Sequence, residues 1–290
     1  MGKSWIELIR PSNVLTAISD VLAGVAIACL FLNVTLPQTA TLFVLCLASM
    51  LLYTGGIVFN DVMDAELDRV ERPERPIPSG RISRRSAIIL GTASFVIGVA
   101  LSLLIGLPSF YMALVIVLLC LVYNGMAKHH FLFGPIIMGL CRGFNLLLGV
   151  SVLPTALDYS YVALVPVLYI ASVTTISRGE VYGGNRTALG ISALLYAIVI
   201  GTLVYYAGFY SNLIALGAIL AFSLMIFIPL VQAYRQPQPA NIRKAVKLGV
   251  LALILLNSSW IAISGFWSLA FLTLCTLPIS IFLAKRFAVT

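Results

Sequence analysis

Between Asn60 and Arg85 the chain reads NDVMDAELDRVERPERPIPSGRISRR, a run of carboxylates and guanidiniums in an otherwise apolar background. Asp61, Asp64 and Asp68 fall at offsets of 0, 3 and 7, which puts all three carboxylates on one helical face, with Asn60 beside them. Like charges at that spacing repel unless a cation lies among them. A hard divalent cation such as Mg²⁺ takes such oxygen ligands and bridges them to phosphates. Arg69, Arg72 and Arg75 follow at once and supply forked donors matched to phosphate oxygens. Pro73, Pro76, Pro78 and Gly80 end the helix and build a loop able to close over a site. Together these residue types hold a metal-bound polyanion. The plainer alternative is a solvated loop whose Asp and Arg side chains pair with one another.

The elements that must position these groups are set by composition. Of 290 residues, 61% are hydrophobic and 10% charged, which excludes an ordinary soluble domain. Apolar runs long enough to cross about 30 Å of hydrocarbon fall near 12–32, 40–60, 86–106, 109–127, 132–154, 160–177, 188–208, 211–231, 244–263 and 266–284. Strand-like alternation is absent and lipid cannot satisfy open backbone, so the expectation is an all-α polytopic bundle in a single domain over 1–290. The first run is full length and lacks a cleavage pattern, so a secretory signal is not expected.

Positive charge sets the orientation. Lys3 and Arg10 precede the first run. Arg69, Arg72, Arg75, Arg81, Arg84 and Arg85 lie between the second and third, and Lys128 follows the fourth. Arg178 and Arg186 follow the sixth. Arg235, Arg243, Lys244 and Lys247 flank the connection after the eighth, and Lys285 and Arg286 end the tenth. The alternate connections near 33–39, 107–109, 155–159, 209–211 and 264–266 hold neither Lys nor Arg. The expected protein spans the cell membrane several times, with both termini and the Asn60–Arg85 loop cytoplasmic. The net charge of +8 then reflects topology and anionic lipid headgroups; nucleic acid is not implied. Cys29, Cys46, Cys120, Cys141 and Cys275 lie in apolar runs without ligand spacing.

The motif N60-D61-x-x-D64-x-x-x-D68 at the end of the second run resembles the first aspartate-rich motif of the UbiA superfamily of intramembrane prenyltransferases. RPIPSGRIS, Arg75 to Ser83, is similar to the following loop in several members, notably the archaeal geranylgeranylglyceryl phosphate prenyltransferases. Arg10-Pro11, and Tyr123 with Lys128, also resemble family positions. The resemblance covers nearly the whole chain. It implies a helical bundle of nine or ten spans around a lipid-accessible cavity, with Mg²⁺ and diphosphate at its cytoplasmic mouth and the isoprenoid in an apolar tunnel. The implied partners are a prenyl diphosphate donor, a lipophilic or aromatic acceptor and membrane lipids. Asn60, Asp61, Asp64, Asp68 and Glu180 would hold metal. Arg10, Arg72, Arg75, Lys128, Arg178 and Arg186 would bind diphosphate, with Tyr123, Lys128 and Glu180 taking part in catalysis. The family pattern has nine helices, so the run near 266–284 is either an addition or a sign that one span is not a full crossing.

The chain departs from that pattern after the sixth run. A second DxxxD motif is expected there, yet the stretch reads SRGEVYGGNR, Ser177 to Arg186, and alignment on Glu180 puts Gly184 at the second acidic position. It is similar to the UbiA-like subgroup called EboC. Two readings follow: catalysis in which Arg178 and Arg186 replace a second Mg²⁺ as phosphate clamps, or a fold that binds, presents or moves a lipophilic metabolite without ionising it. An unrelated secondary transporter would gather its polar groups at the midplane of broken helices rather than at one membrane face.

Inside the apolar runs, Arg142 and Asn145 share a helical face of the fifth, and Asp20 lies about halfway along the first. Such groups are costly in a membrane and should face inward, so an Asp20–Arg142 pair lining the cavity is expected. Asn257 is expected to pack or to line the cavity. Trp5, Trp260 and Trp267 are expected at the membrane interfaces.

Overall fold

The structure is a computed structural model that describes residues 2–180 and 183–287. It begins with a short amphipathic helix, α1 (Gly2–Ile9). The ten long helices are built from α2 (Pro11–Leu32), α3 (Thr39–Met63), α5 (Arg84–Ile105), α6 (Leu107–Val122) and α7 (Phe133–Val150), then α8 (Leu164–Ser177), α9 (Arg186–Phe209), α10 (Ala215–Arg235), α11 (Pro239–Ile263) and α12 (Trp267–Arg286). A short α4 (Ala65–Glu71) extends α3. A π-helical turn, Tyr123–Ala127, ends α6, and a 3-10 segment, Pro154–Ala163, leads into α8. With these extensions, ten helices among the described residues are long and apolar enough to cross a membrane, one for each apolar run in the sequence. The run near 266–284 is such a helix.

α2 and α11 form the buried centre. α2 packs on α3, α7, α11 and α12, and α11 also meets α8 and α10. Glycine sets the closest crossing: a Cβ on Gly24 of α2 would lie 2.1 Å from the Leu146 carbonyl oxygen of α7, and one on Gly149 would lie 2.1 Å from that of Val21. With no hydrophobic drive between helices in lipid, such close backbone approach is what gives helix pairs their contact. Trp260 of α11 departs from its expected interfacial place. It is fully buried against Tyr206, ring centroids 5.2 Å apart, because α11 is enclosed over most of its length.

The loop after α4 is folded down. Ile77 and Ile82 are buried with Leu8, Val58 and Val62, the backbone N–H of Ser79 donates to the Arg75 carbonyl, and Gly80 takes a φ of 74° that few other residues adopt. Ser83 then caps α5 by accepting from the Ser86 N–H at 3.0 Å.

Candidate functional site

The chain bends at Asp64, yet the Asp64 N–H still reaches the Asn60 carbonyl at 2.9 Å and the Asp68 N–H reaches that of Asp64 at 2.8 Å. Helical register therefore runs through the bend, and the three aspartates share a side as their spacing predicts. Each meets a cation. Arg10 donates to Asp61 at 2.5 Å, Arg75 donates to Asp68 at 2.7 Å and lies 3.5 Å from Asp61, and Lys128 pairs with Asp64. Asp61 and Asp68 are buried, so this is not the solvated pairing of an exposed loop. Arg10 sits in the left-handed region, φ 52°, between α1 and Pro11, an uncommon conformation that turns the guanidinium toward α3.

Lys128 is placed by the π-helical turn, closed by its N–H on the Tyr123 carbonyl at 3.0 Å. Such a turn shifts the phase of a helix and is frequent at functional sites. Here it brings Asn124 against α3, where its side chain accepts from Asn60 at 2.9 Å and donates to the Gly56 carbonyl at 3.1 Å. Asn124 carries no charge and stood out in no sequence pattern. Burial pulls the Lys128 ammonium below the usual lysine range, with the Asp61 charge opposing.

Below lies a cavity of about 420 Å³. Its walls include Arg10, Asn60, Asp64, Arg72, Arg75, Tyr123 and Glu180 at the polar end, and Ile57, Ile116, Met138, Ile170, Val173, Val246 and Val250 elsewhere. Burial pushes the Glu180 carboxyl upward against the opposing charges of Arg72 and Arg243. The expected midplane pair is present: Arg142 donates to Asp20 at 2.7 Å and to Thr16 at 2.5 Å. Asn145 donates to Asp20 at 3.1 Å, Asn257 of α11 donates to Asp20 at 2.8 Å, and the Arg142 guanidinium lies 4.7 Å from the Tyr53 ring centroid.

Two expected phosphate ligands lie elsewhere. Arg178 is exposed, donates to the His130 carbonyl at 2.5 Å and stacks on Phe131; Arg186 is exposed at the start of α9. Neither lines the cavity. Both flank the stretch after α8, where the Arg178 guanidinium is engaged at His130 and Phe131 and Arg186 is exposed. Val181 and Tyr182 of that stretch lie outside the described residues. Gly183 and Gly184 fold onto the connection before α11: the Gly184 N–H donates to the Pro237 carbonyl at 3.1 Å, and a Cβ at Gly184 would meet Ile242 Cδ1 at 2.6 Å.

The donor set at the mouth is carboxylate and amide oxygen only, which suits Mg²⁺ by hardness. Its carboxylates are held by side-chain cations, and among the described residues no three acidic, thiol or imidazole side chains converge as a metal cage. Of the expected set, Asn60, Asp64 and Glu180 line the cavity, while Asp61 and Asp68 are buried against Arg10 and Arg75 and do not line it.

Ten membrane-length helices around a cavity with a charged end define an intramembrane helical bundle. The sequence pattern of the UbiA prenyltransferase family matches residues 21–253, and the chain belongs to that family. It is 30% identical to the digeranylgeranylglyceryl phosphate synthase of Sulfolobus acidocaldarius over 77% of this chain and 85% of that one. The enzyme of the same name from Sulfurisphaera tokodaii is 27% identical over 88% and 96%. Among solved structures, the fold matches a UbiA homolog from Aeropyrum pernix K1 with a TM-score of 0.72 at 17% identity, covering 85% of this chain and 96% of that one. A UbiA homolog from Archaeoglobus fulgidus bound to DMAPP and Mg²⁺ matches with a TM-score of 0.65 at 17% identity, over 90% and 99%.

Proposed function

We propose that this UbiA-family prenyltransferase transfers an isoprenoid group from an allylic diphosphate to a lipophilic or aromatic acceptor at a mouth facing the cytoplasm, where both termini also lie. The observation that carries the reading is the set of Asp61, Asp64 and Asp68 opposed by Arg10, Arg75 and Lys128, of which Arg10, Asp64 and Arg75 line the polar end of the cavity. The A. fulgidus homolog with DMAPP and Mg²⁺ supports a diphosphate donor, and the archaeal synthases support a glyceryl phosphate lipid as one class of acceptor.

Asn60, Asp61, Asp64, Asp68 and Glu180 would hold Mg²⁺, whose chemistry is to neutralise charge on diphosphate oxygens. The diphosphate draws Arg10, Arg75 and Lys128 from the aspartates, because a polyanion offers them more charge than one carboxylate. Arg72 completes the cationic rim from the loop. As the allylic C–O bond breaks, its electron pair leaves with pyrophosphate, and the fixed cations stabilise that growing charge. The acceptor nucleophile bonds the allylic carbon and releases its proton. The apolar walls keep water from competing for the cation. Tyr123, at the rim, positions the diphosphate or the acceptor.

The stretch around Glu180 favours a second reading. With Gly184 packed against Ile242 where a partner carboxylate would stand, the fold would bind or present a lipophile without ionising it. Purified protein in nanodiscs, given allylic diphosphates of several lengths with candidate acceptors and Mg²⁺, should release pyrophosphate; Asp64→Ala or EDTA should abolish release. No turnover with any pair, alongside retained lipophile binding, would select the second reading.

A further inference from the structure

Midway along the bundle one stretch of cavity wall is polar in a specific way. Arg142, only 5% exposed, spends one N–H on Asp20 and another on Thr16, while its Nε–H has no hydrogen-bond partner among the described residues. Arg142 lines the cavity, and its Nε is not among the enclosed unpartnered atoms, so that donor opens onto the cavity. Asn13 lines the same wall one turn before Thr16. Its Oδ1 accepts from Ser12 at 3.3 Å, and its Nδ2 donates to no described residue. The Thr16 hydroxyl joins the two, donating to the Asn13 carbonyl at 2.6 Å while accepting from Arg142. Asn145, by contrast, is spent on the carbonyl of Ala17, Asp20 and Ser49. What this wall offers a ligand is N–H donors. The part contributed by α8 and α11 carries hydroxyls only in the last turn of α8, at Thr174 and Ser177, and is otherwise apolar through Ile170, Val173, Val246 and Val250.

We infer that Arg142 and Asn13 form a recognition subsite for an uncharged oxygen, a hydroxyl or carbonyl, on the second, prenyl-accepting substrate. Buried donors seek an acceptor, and a site built to bond an oxygen rejects the analogue lacking it. An anion does not suit the subsite. Asp20 already neutralises Arg142, so a carboxylate or phosphate there would be an uncompensated charge inside the membrane. The donor's reacting carbon does not suit it either, because positive charge develops there and the wall would turn the positive ends of its N–H dipoles toward it. The prenyl chain therefore follows the α8 and α11 side, and the acceptor's oxygen takes the α2 and α7 side. This inference rests on the prenyl-transfer reading, although its test does not require turnover.

Protein in nanodiscs is saturated with dimethylallyl S-thiolodiphosphate and Mg²⁺ to fill the mouth. Binding of tritiated 4-nonylphenol is then measured by scintillation proximity, with 4-nonylphenol and nonylbenzene as competitors. Wild type should prefer the phenol at least ten-fold. Arg142→Lys keeps a cation for Asp20 but loses the Nε–H; it should bring the preference to within two-fold with its thermal midpoint and thiolodiphosphate affinity kept. The double variant Asp20→Asn with Arg142→Met serves if the lysine variant unfolds, since it leaves no buried charge unpaired. An undiminished phenol preference in a folded variant, or no preference in wild type, overturns the subsite. Failure of the thiolodiphosphate to bind wild type overturns the transfer reading instead, and the phenol comparison repeated without it still tests the subsite.

Discussion

Arg10 and Asp61, 51 residues apart, share an ion pair whose acceptor oxygen also lies 3.5 Å from Arg75. One carboxylate thus meets two guanidiniums, and Asp61→Asn leaves Arg10 without its carboxylate and Arg75 with Asp68 alone. Removing one member of a buried charge set costs about 3–5 kcal/mol. The variant is expected to lose thermal stability and to weaken diphosphate-analogue binding. A midpoint equal to wild type, with unchanged binding, would show that Asp61 holds neither.

The lowered Lys128 ammonium has a two-sided pH signature. The unfolded chain keeps its proton to higher pH, so between the lowered folded value and the ordinary lysine value the unfolded state binds more protons and stability rises with pH. Diphosphate affinity falls through the same window, because the cation that serves it is lost. Lys128→Arg should carry binding further into alkaline solution. Binding curves that superimpose for the two proteins would remove Lys128 from the diphosphate site.

Asp20 and Arg142 are expected to behave as a coupled pair in thermal melts. Asp20→Asn and Arg142→Gln should each destabilise by about 3–5 kcal/mol, with the double change costing less than the sum. Strict additivity would mean that the two groups act apart.

Gly184→Asp restores an acidic residue after α8, yet its Cβ would meet Ile242 Cδ1 at 2.6 Å. The single variant is expected to lose about 1–3 kcal/mol through overpacking. Ile242→Ala in the same chain should relieve part of that loss and raise Mg²⁺ affinity, read by isothermal titration. If the aspartate alone is accommodated at no cost, packing is not what keeps glycine there.

At the α2 and α7 crossing, Gly149→Leu has backbone rather than a flexible side chain in its way. Separation of the helices should also part Asp20 from Arg142, so the loss is expected to exceed about 4 kcal/mol. A folded variant with wild-type melting would refute the close approach.

The spans and the acidic face were legible because both are local: a run of about 20 apolar residues and a 3,4 spacing say what they form wherever they pack. The Asp20–Arg142 pair was legible for a related reason, since two charges inside lipid have few other partners. Asn13, Tyr53 and Asn124 were not. An uncharged polar residue in a long apolar helix carries no mark of its face, and the π-helical turn shifts the phase that places Asn124. That Arg178 and Arg186 stand outside the cavity lining was not legible, because closeness to a motif in sequence does not say which side chains reach a cavity. Trp260 was assigned to the interface by residue type, while the burial of α11 encloses it.

The three aspartates of the mouth find their cations within the first 128 residues, whereas Asp20 enters with the first span and meets Arg142 only on the fifth. During synthesis the bilayer therefore receives a carboxylate before its partner exists. A chain that ends before residue 142 carries Asp20 without its cation, an unpaired acid that is costly in hydrocarbon. We predict that chains truncated after α6 turn over faster in pulse-chase than the same chains carrying Asp20→Asn; equal lifetimes would count against this order of assembly.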